Sequence, residues 1–292
     1  MRCLLIGANG FIGRQVHARL AADPAVTVIP AGRSGPLRLD LGHADLSARL
    51  RDLAPDVVVN CAGTIDGSPA ELAVGNVVAV ARLLTAAGSV GSRIVHLGSA
   101  AEYGAVPAGR SVAETFDPQP VSAYGLSKLA ATELVLAARR DGLTATVLRI
   151  FNPIGPGTPS TLLPGRLVSA VQVAAATGDP ARVGPLVGHR DFVDVRDVAA
   201  AVEVACWVTG ALPGIVNVGS GHATALRDLA ALAAGMAGVP QPVEESAGSS
   251  RSPAVTWQRA DITLAGSLLG FRPAYSPAES LRDMGLPALA AV

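Results

Sequence analysis

Tyr124 and Lys128 lie four residues apart in VSAYGLSKLAATELVLAARR, a stretch with helical apolar spacing. That separation puts both side chains on one helical face, within a turn of each other. A tyrosine alone is a poor acid–base catalyst near neutrality, because its reference pKa is about 10. A nearby ammonium favours the phenolate and lowers that value, so Lys128 is the activator such a tyrosine needs. Ser99 lies upstream, at the end of the predicted strand RIVHLGS, where its hydroxyl can hydrogen-bond the same substrate oxygen. These three groups suit proton transfer at a carbonyl. Tyr-x-x-x-Lys also arises by chance in helices, and the opening GANGFIG is what gives it weight here.

Gly7, Gly10 and Gly13 follow the strand CLLIG and open a predicted helix from Phe11 to about Ala22. The first permits a tight turn, the second lets backbone approach a pyrophosphate, and the third lets helix and strand pack closely. Phosphates would rest on the helix N-terminus, where free N–H groups and the dipole favour anions. The end of the next strand selects the nicotinamide: an acid there binds the ribose hydroxyl of NAD, an arginine the extra phosphate of NADP. This chain reads AGRSGPLRLD, with Arg33 and Ser34 about 20 residues beyond the glycines and no acid beside them. The expected cofactor is therefore NADP (NADPH), with NAD as the alternative if Arg33 is an ordinary solvated loop arginine. Asp40 comes later, after a Gly-Pro turn, and is better placed near the adenine.

Other elements must hold these groups in place. At 292 residues the chain has room for one large domain or two unequal lobes. Short strand patterns alternate with helical ones over the first 150 residues: CLLIG, VTVIPA, DVVVNCA, RIVHLGS and TATVLRI, with helices at Phe11, Asn76–Ala87 and Tyr124. The strands are continuous apolar runs, as expected when helices cover both sheet faces. The fold class is α/β, a Rossmann-type doubly wound parallel sheet with a smaller C-terminal substrate-binding lobe. Past Ile150, FNPIGPGTPSTLLPG reads as a loop leaving the sheet; LVSAVQVAAATG and TALRDLAALAAGMAG read as helices, and the tail after them has no assigned element.

Composition excludes several classes. Lys+Arg and Asp+Glu balance at 23 each, so no basic surface calls for nucleic acid or an acidic membrane. No uncharged apolar run reaches the roughly 18 residues needed to span a bilayer. MRCLLIGANG is too briefly apolar for a signal peptide. Cys3, Cys61 and Cys206 lack metal or redox spacing and read as buried thiols of a reducing compartment, so a soluble cytoplasmic protein is expected. His17, His43, His96, His189 and His222 are scattered, and no metal site is expected.

GANGFIG, LGSAAEYG, YGLSK, LRIFNPIGPG, HRDFVDVRDVA, GIVNVGSG and LLGFRP occur in an order and at intervals that resemble the extended short-chain dehydrogenase/reductases, the nucleotide-sugar epimerases, dehydratases and reductases. RIFNPIGPG followed by VGHRDFVDVRD is most similar to the nucleotide-diphospho-4-keto-6-deoxy-sugar reductases, with the GDP-4-keto-6-deoxymannose reductases as the nearest pattern. The resemblance makes Ser99, Tyr124 and Lys128 the catalytic set. It assigns cofactor contacts to Gly7, Asn9, Gly10, Phe11, Ile12, Gly13, Arg33, Ser34, Asp40, Leu41, Ala62, Gly63, Asn76, Tyr124 and Lys128, with Asn76 also buttressing the site. Substrate contacts fall on Ser99, Ala100, Asn152, Arg190 and Arg251, with Asn152 and Arg190 at the diphosphate. A planar guanidinium can hold phosphate oxygens bidentately, and the ordinary alternative for Arg190 is a salt bridge to Asp191 or Asp194. Asp261 is expected to be structural.

Departures from the family pattern narrow the reaction. Dehydratases carry Asp-Glu after the catalytic Ser/Thr, where this chain has Ala100 and Ala101; Glu102, one place on, is expected to point elsewhere. Enzymes that epimerise C3 and C5 before reduction carry a cysteine there and a histidine or lysine in the FNPIGPG loop, and neither is present. The expected function is NADPH-dependent reduction of the C4 ketone of a nucleotide-diphospho-4-keto-6-deoxyhexose. The alternatives are an NAD-dependent nucleotide-sugar 4-epimerase and a non-catalytic cofactor-binding regulator. The expected dinucleotide-binding domain is 1–150 plus 190–219, and the sugar-nucleotide lobe 151–189 plus 220–292. A homodimer through a four-helix interface, including the Tyr124 helix, is what the resemblance implies.

Overall fold

Every residue of Val57–Asn60 and Ala145–Ile150 is buried, as are four of the five residues of Arg2–Ile6. Strands enclosed on both faces need a helical layer on each side, and the chain supplies them alternately. The computed structural model describes residues 1–34, 37–41, 46–210, 212–244 and 255–288. It opens with β1 (Arg2–Ile6), α1 (Phe11–Ala21), β2 (Thr27–Gly32), β3 (Leu37–Arg38), α2 (Leu46–Leu53) and β4 (Val57–Asn60). Then α3 (Pro69–Leu72), a π-helical stretch Ala73–Val78 and α4 (Ala79–Gly88) run on as one helix into β5 (Arg93–Ser99). A 3₁₀ turn at Ala100–Glu102 leads to α5 (Ala123–Arg140) and β6 (Ala145–Ile150).

These strands and a later one, β11, make a seven-stranded sheet in the order β11-β6-β5-β4-β1-β2-β3. Each neighbouring pair is parallel. The chain winds outward from β1 in one direction, then returns to β4 on its other side. That reversal opens a crevice at the carboxyl ends of β1 and β4, the place where doubly wound sheets bind ligands.

The rest of the chain comprises β7 (Asn152–Ile154), α6 (Leu163–Thr177), β8 (Arg182–Val183), β9 (His189–Arg190), β10 (Phe192–Asp194), α7 (Val195–Trp207) and β11 (Ile215–Val218). It ends with β12 (Thr224–Ala225), α8 (Leu226–Ala237), β13 (Val243–Glu244), α9 (Thr263–Leu269) and α10 (Pro277–Asp283). Three cores result. One sheet face packs Leu5, Val59, Val95 and Leu97 against Val16, Leu20, Val198 and Val202, and α9 joins it through Ala265 and Leu269. The opposite face packs Leu4, Val58 and Val147 against Leu50, Val80, Leu83 and Val135. Away from the sheet, Leu167, Val171, Leu229, Ala233 and Leu281 form a separate cluster of α6, α8 and α10.

The structure departs from the sequence expectations at four places. The loop expected after Ile150 contains β7, which pairs in parallel with β10 from Asn152↔Phe192 to Ile154↔Asp194. The edge strand β3 is only two residues long, too short for a periodic signal. The helix expected at Asn76–Ala87 begins seven residues earlier, at Pro69, because Ser68 caps it in a reciprocal box with Glu71. The same SPAE tetrad recurs at Ser276–Glu279 and opens α10 in the tail by the same means. The Pro69–Gly88 helix is long and apolar enough to cross a membrane by length and composition. Its Val80, Leu83 and Leu84 are buried in the second core instead.

Candidate active site

The glycine turn sits at the switch between β1 and β4. Gly7 has φ +79°, and a Cβ on it would lie 2.7 Å from the Ala62 backbone nitrogen, so only glycine lets the two loops close together. A Cβ on Gly13 would lie 2.0 Å from the Gly7 carbonyl oxygen, which explains the third glycine as a packing requirement. Gly10 caps α1 without a side-chain hydrogen bond, and its first turn carries no acid. The N–H groups there are left for an anion. Asn9 donates to the Ser34 carbonyl at 2.9 Å and ties the turn to the end of β2. Arg33, Ser34 and Asp40 are exposed beside it, Phe11 and Ile12 are half-buried, and Leu41 is buried. These features fit a dinucleotide.

Lys128 lies on the buried side of α5, 5% exposed, and its Nζ donates to the Leu97 carbonyl at 2.6 Å. Burial pulls the lysine pKa down, and the Glu102 carboxylate works against that. Tyr124, half-buried, stands one turn earlier, just inside the N-cap Ser122. A Cβ on Gly125 would sit 2.5 Å from the Ala101 carbonyl oxygen, so the start of α5 lies tightly against the turn that follows Ser99. Ser99 closes β5, and its Oγ accepts the Ala101 N–H at 3.2 Å. With that acceptance made, the hydroxyl proton remains to be donated.

Asn76 lies in the π-helical stretch and is 2% exposed. Its side chain accepts the Thr64 N–H at 2.8 Å and donates to the Thr64 carbonyl at 2.8 Å and to Ser127 Oγ at 2.9 Å. It thereby pins the loop after β4, where Gly63 would bring a Cβ within 3.3 Å of Asn76 Oδ1, to the Tyr124–Lys128 helix. Ser127 in turn donates to the Tyr124 carbonyl at 2.8 Å.

On the facing side, Asn152 Nδ2 donates to the Asp191 carbonyl at 2.9 Å and to Gln258 Oε1 at 3.1 Å. Gln258 Nε2 donates onward to the Ala100 carbonyl at 3.2 Å, so one buried amide joins Asn152 to the turn at Ser99. Among the described residues Arg190 donates only to the His189 carbonyl, and burial lowers its pKa. Its two aspartate neighbours are occupied. Asp191 accepts from Ser220, Gly221 and Ala260, while Asp194 is clasped by Arg196 and Ser280. Arg251 lies outside the described residues. Asp261 accepts the Thr263 N–H at 2.9 Å, a local turn contact away from the proton-transfer groups.

Glu102, Ser127, Thr132 and Gln258 are buried polar residues at this site that the motifs did not single out. Ser99-Ala-Ala-Glu102 is a capping-box spacing, and both halves of that box form, so Glu102 carried a readable local signal. Gln258 carried none, since its partner Ala100 is 158 residues away in the chain.

Residues 3–219 match the family model for the NAD dependent epimerase/dehydratase family. The chain belongs to that family. Its members include a protein of Kitasatospora kifunensis named dTDP-6-deoxy-L-talose 4-dehydrogenase (NAD(P)(+)), 37% identical over 301 residues that cover 97% of this chain and 94% of that one. GDP-6-deoxy-D-mannose reductase of Pseudomonas aeruginosa is 28% identical over 96% of this chain and 95% of its own. The solved structure of MoeE5 in complex with UDP-glucuronic acid and NAD superposes with a TM-score of 0.85 at 29% identity, covering 97% of each chain. This epimerase/dehydratase family member is thus an enzyme acting on nucleotide sugars with a nicotinamide cofactor.

Proposed function

We propose that the protein reduces the C4 ketone of a nucleotide-diphospho-4-keto-6-deoxyhexose with NADPH. The observation that carries the reading is an acid–base pair, Tyr124 and Lys128, on a helix whose start lies tightly against the turn after Ser99, with Ala100 and Ala101 at the two positions that follow the serine. Proton transfer at one oxygen is provided for; proton transfer at neighbouring carbons, which dehydration needs, is not. The full-length likeness to a protein named a 6-deoxy-sugar 4-dehydrogenase supports the carbon position and the sugar class. Arg33, exposed at the end of β2 with no acid beside it, supports NADP.

A nicotinamide dinucleotide with its pyrophosphate on the glycine turn would supply the hydride. The chain's own residues do the rest. Tyr124 donates its phenolic proton to the oxygen that gains charge at C4, and Ser99 donates a hydrogen bond to the same oxygen. Lys128, held by Leu97, lowers the cost of the tyrosinate left behind and has N–H groups left for the cofactor ribose. Arg190 takes the diphosphate, while Asn152, whose amide N–H groups are held by Asp191 and Gln258, fixes the segment beside it, so binding energy remote from C4 positions the ketone.

A test is to supply dTDP- and GDP-linked 4-keto-6-deoxyhexoses with NADPH and follow cofactor oxidation and the sugar product. Consumption of one cofactor per alcohol formed supports reduction. The second reading, an NAD-dependent nucleotide-sugar 4-epimerase, is favoured by the likeness to a structure holding NAD with UDP-glucuronic acid. It requires inversion of a C4 alcohol without net cofactor turnover, so incubating the protein with NAD and a nucleotide-linked hexose that carries a C4 hydroxyl, and following the C4 configuration, separates the two. We also propose a homodimer through four helices, because Val74, Val78 and Leu126 are 60%, 41% and 60% exposed on the outer sides of adjoining helices. Sedimentation of Leu126→Glu as a monomer, against a wild-type dimer, checks it.

A further inference from the structure

Glu102 is fully buried, and no role in the proton transfer above uses it. Its Oε1 accepts the Ser99 N–H at 2.7 Å. Its Oε2 accepts from Thr132 Oγ1 at 2.8 Å and from Arg149 Nε at 2.7 Å. Thr132 is one helical turn beyond Lys128 on α5, so a single carboxylate joins the end of β5, the Tyr124–Lys128 helix and β6. Gly98 makes room for it: a Cβ there would meet Glu102 Oε1 at 2.7 Å.

A carboxylate present only to neutralise Arg149 would engage the guanidinium with both oxygens. Here one oxygen goes to Ser99, and Arg149 Nη1 and Nη2 are buried without an acceptor. Leaving those donors unmet costs stability. The geometry favours the hold on Ser99 over the best pairing of Arg149. We infer that Glu102 is a positioning residue for the reaction: it seats Ser99, anchors the helix that carries Tyr124 and Lys128, and balances the charge of the buried Lys128 ammonium. The inference rests on the reading of Ser99, Tyr124 and Lys128 as the reacting set.

The surroundings of Lys128 make that charge matter. Cys61, from the loop after β4, has its thiol pushed up by burial and stays neutral near pH 7. His96, on β5, is kept neutral by burial and by Lys128 itself. Tyr124 lies on the same helix, one turn before Lys128. Among the described residues Glu102 is the carboxylate that works against the desolvation of Lys128. Removing the charge makes Lys128 lose its proton at lower pH, and the ammonium that supports Tyr124 disappears earlier as pH rises.

The test is the pH profile of the NADPH-loaded enzyme acting on a nucleotide-linked 4-keto-6-deoxyhexose, for wild type, Glu102→Gln and Glu102→Asp. In Glu102→Gln, kcat should fall about tenfold, KM should change less than about twofold, and the basic limb should move down by about one pH unit. Glu102→Asp keeps the charge but shortens the reach, so its basic limb should stay in place while kcat falls. A Glu102→Gln enzyme with the wild-type basic limb overturns the inference, as does a Glu102→Asp enzyme with unchanged kcat. If Glu102→Gln does not fold, the kcat of Glu102→Asp decides, because a shortened carboxylate cannot keep both its hold on Ser99 and its hold on Thr132. Tyr124→Phe run alongside separates the two readings: wild-type activity there contradicts the reacting set itself, whatever Glu102 does.

Discussion

The cofactor side of the cleft hangs from a seven-stranded parallel sheet, whereas the substrate side hangs from paired segments of two or three residues. Gly7, Ser99 and Lys128 are fixed by the ends of β1 and β5 and by an eighteen-residue helix packed on the sheet. Asn152 and Arg190 sit on β7 and β9, whose partners are β10 and β12. On the first side the polar groups hold one another: Asn76, Ser127, Glu102 and Thr132 form direct bonds to the reacting set or its helix. On the second, Arg190 meets only a neighbouring carbonyl among the described residues. The contrast suggests that proton transfer depends on groups placed before substrate arrives, while diphosphate recognition depends on a cation whose partner is the substrate. The two sides meet at Gln258, which bonds to both Asn152 and Ala100.

Four substitutions, with the pH profile of Glu102 variants, would break or sharpen that contrast. Tyr124→Phe removes the acid without disturbing the cofactor side, so kcat should fall by about a thousandfold while NADPH affinity, read by fluorescence titration, holds within about twofold. Arg190→Ala should act on the other side, lowering kcat/KM by about a hundredfold, mostly through KM, because a charge-assisted contact is lost. An equal loss in kcat at saturating substrate would show that the two sides are not separable. Gln258→Leu deletes the bridge and should cost about tenfold in kcat/KM, with both KM and kcat affected. Arg33→Ala has the smallest expected effect, about tenfold weaker NADPH binding with NADH binding unchanged, since a screened, exposed arginine contributes modestly.

The chemistry side was the legible side. GANGFIG, RIVHLGS and YGLSK each specify structure within a few residues, so glycine spacing, strand ends and a helical repeat place Gly7, Ser99, Tyr124 and Lys128 from local sequence alone. The continuous apolar strands likewise predict the buried parallel sheet that is observed. What was not legible depends on distance along the chain. Gln258 meets Ala100 across 158 residues, and Glu102 meets Arg149 across 47. Two-residue strands such as β8, β9 and β12 are too short to show a period, and they organise the substrate side. Local signals that were present were also passed over: SPAE marks the true start of the helix at Pro69 and opens α10, and Ser99-Ala-Ala-Glu102 spells a capping box. A neutral, alanine-rich surface gave no further help.

The central claim is that this cleft carries out one hydride reduction at a sugar C4 ketone and no carbon-centred proton transfer. The most direct measurement is a single incubation of the purified protein with NADPH and a nucleotide-linked 4-keto-6-deoxyhexose in deuterated water, followed by cofactor absorbance and by NMR of the sugar. The account predicts stoichiometric NADPH oxidation, a new alcohol at C4, and no deuterium at C3, C5 or C6. NADPH left unoxidised with the ketone recovered, or deuterium at a ring or methyl carbon above that of an enzyme-free control, would contradict it.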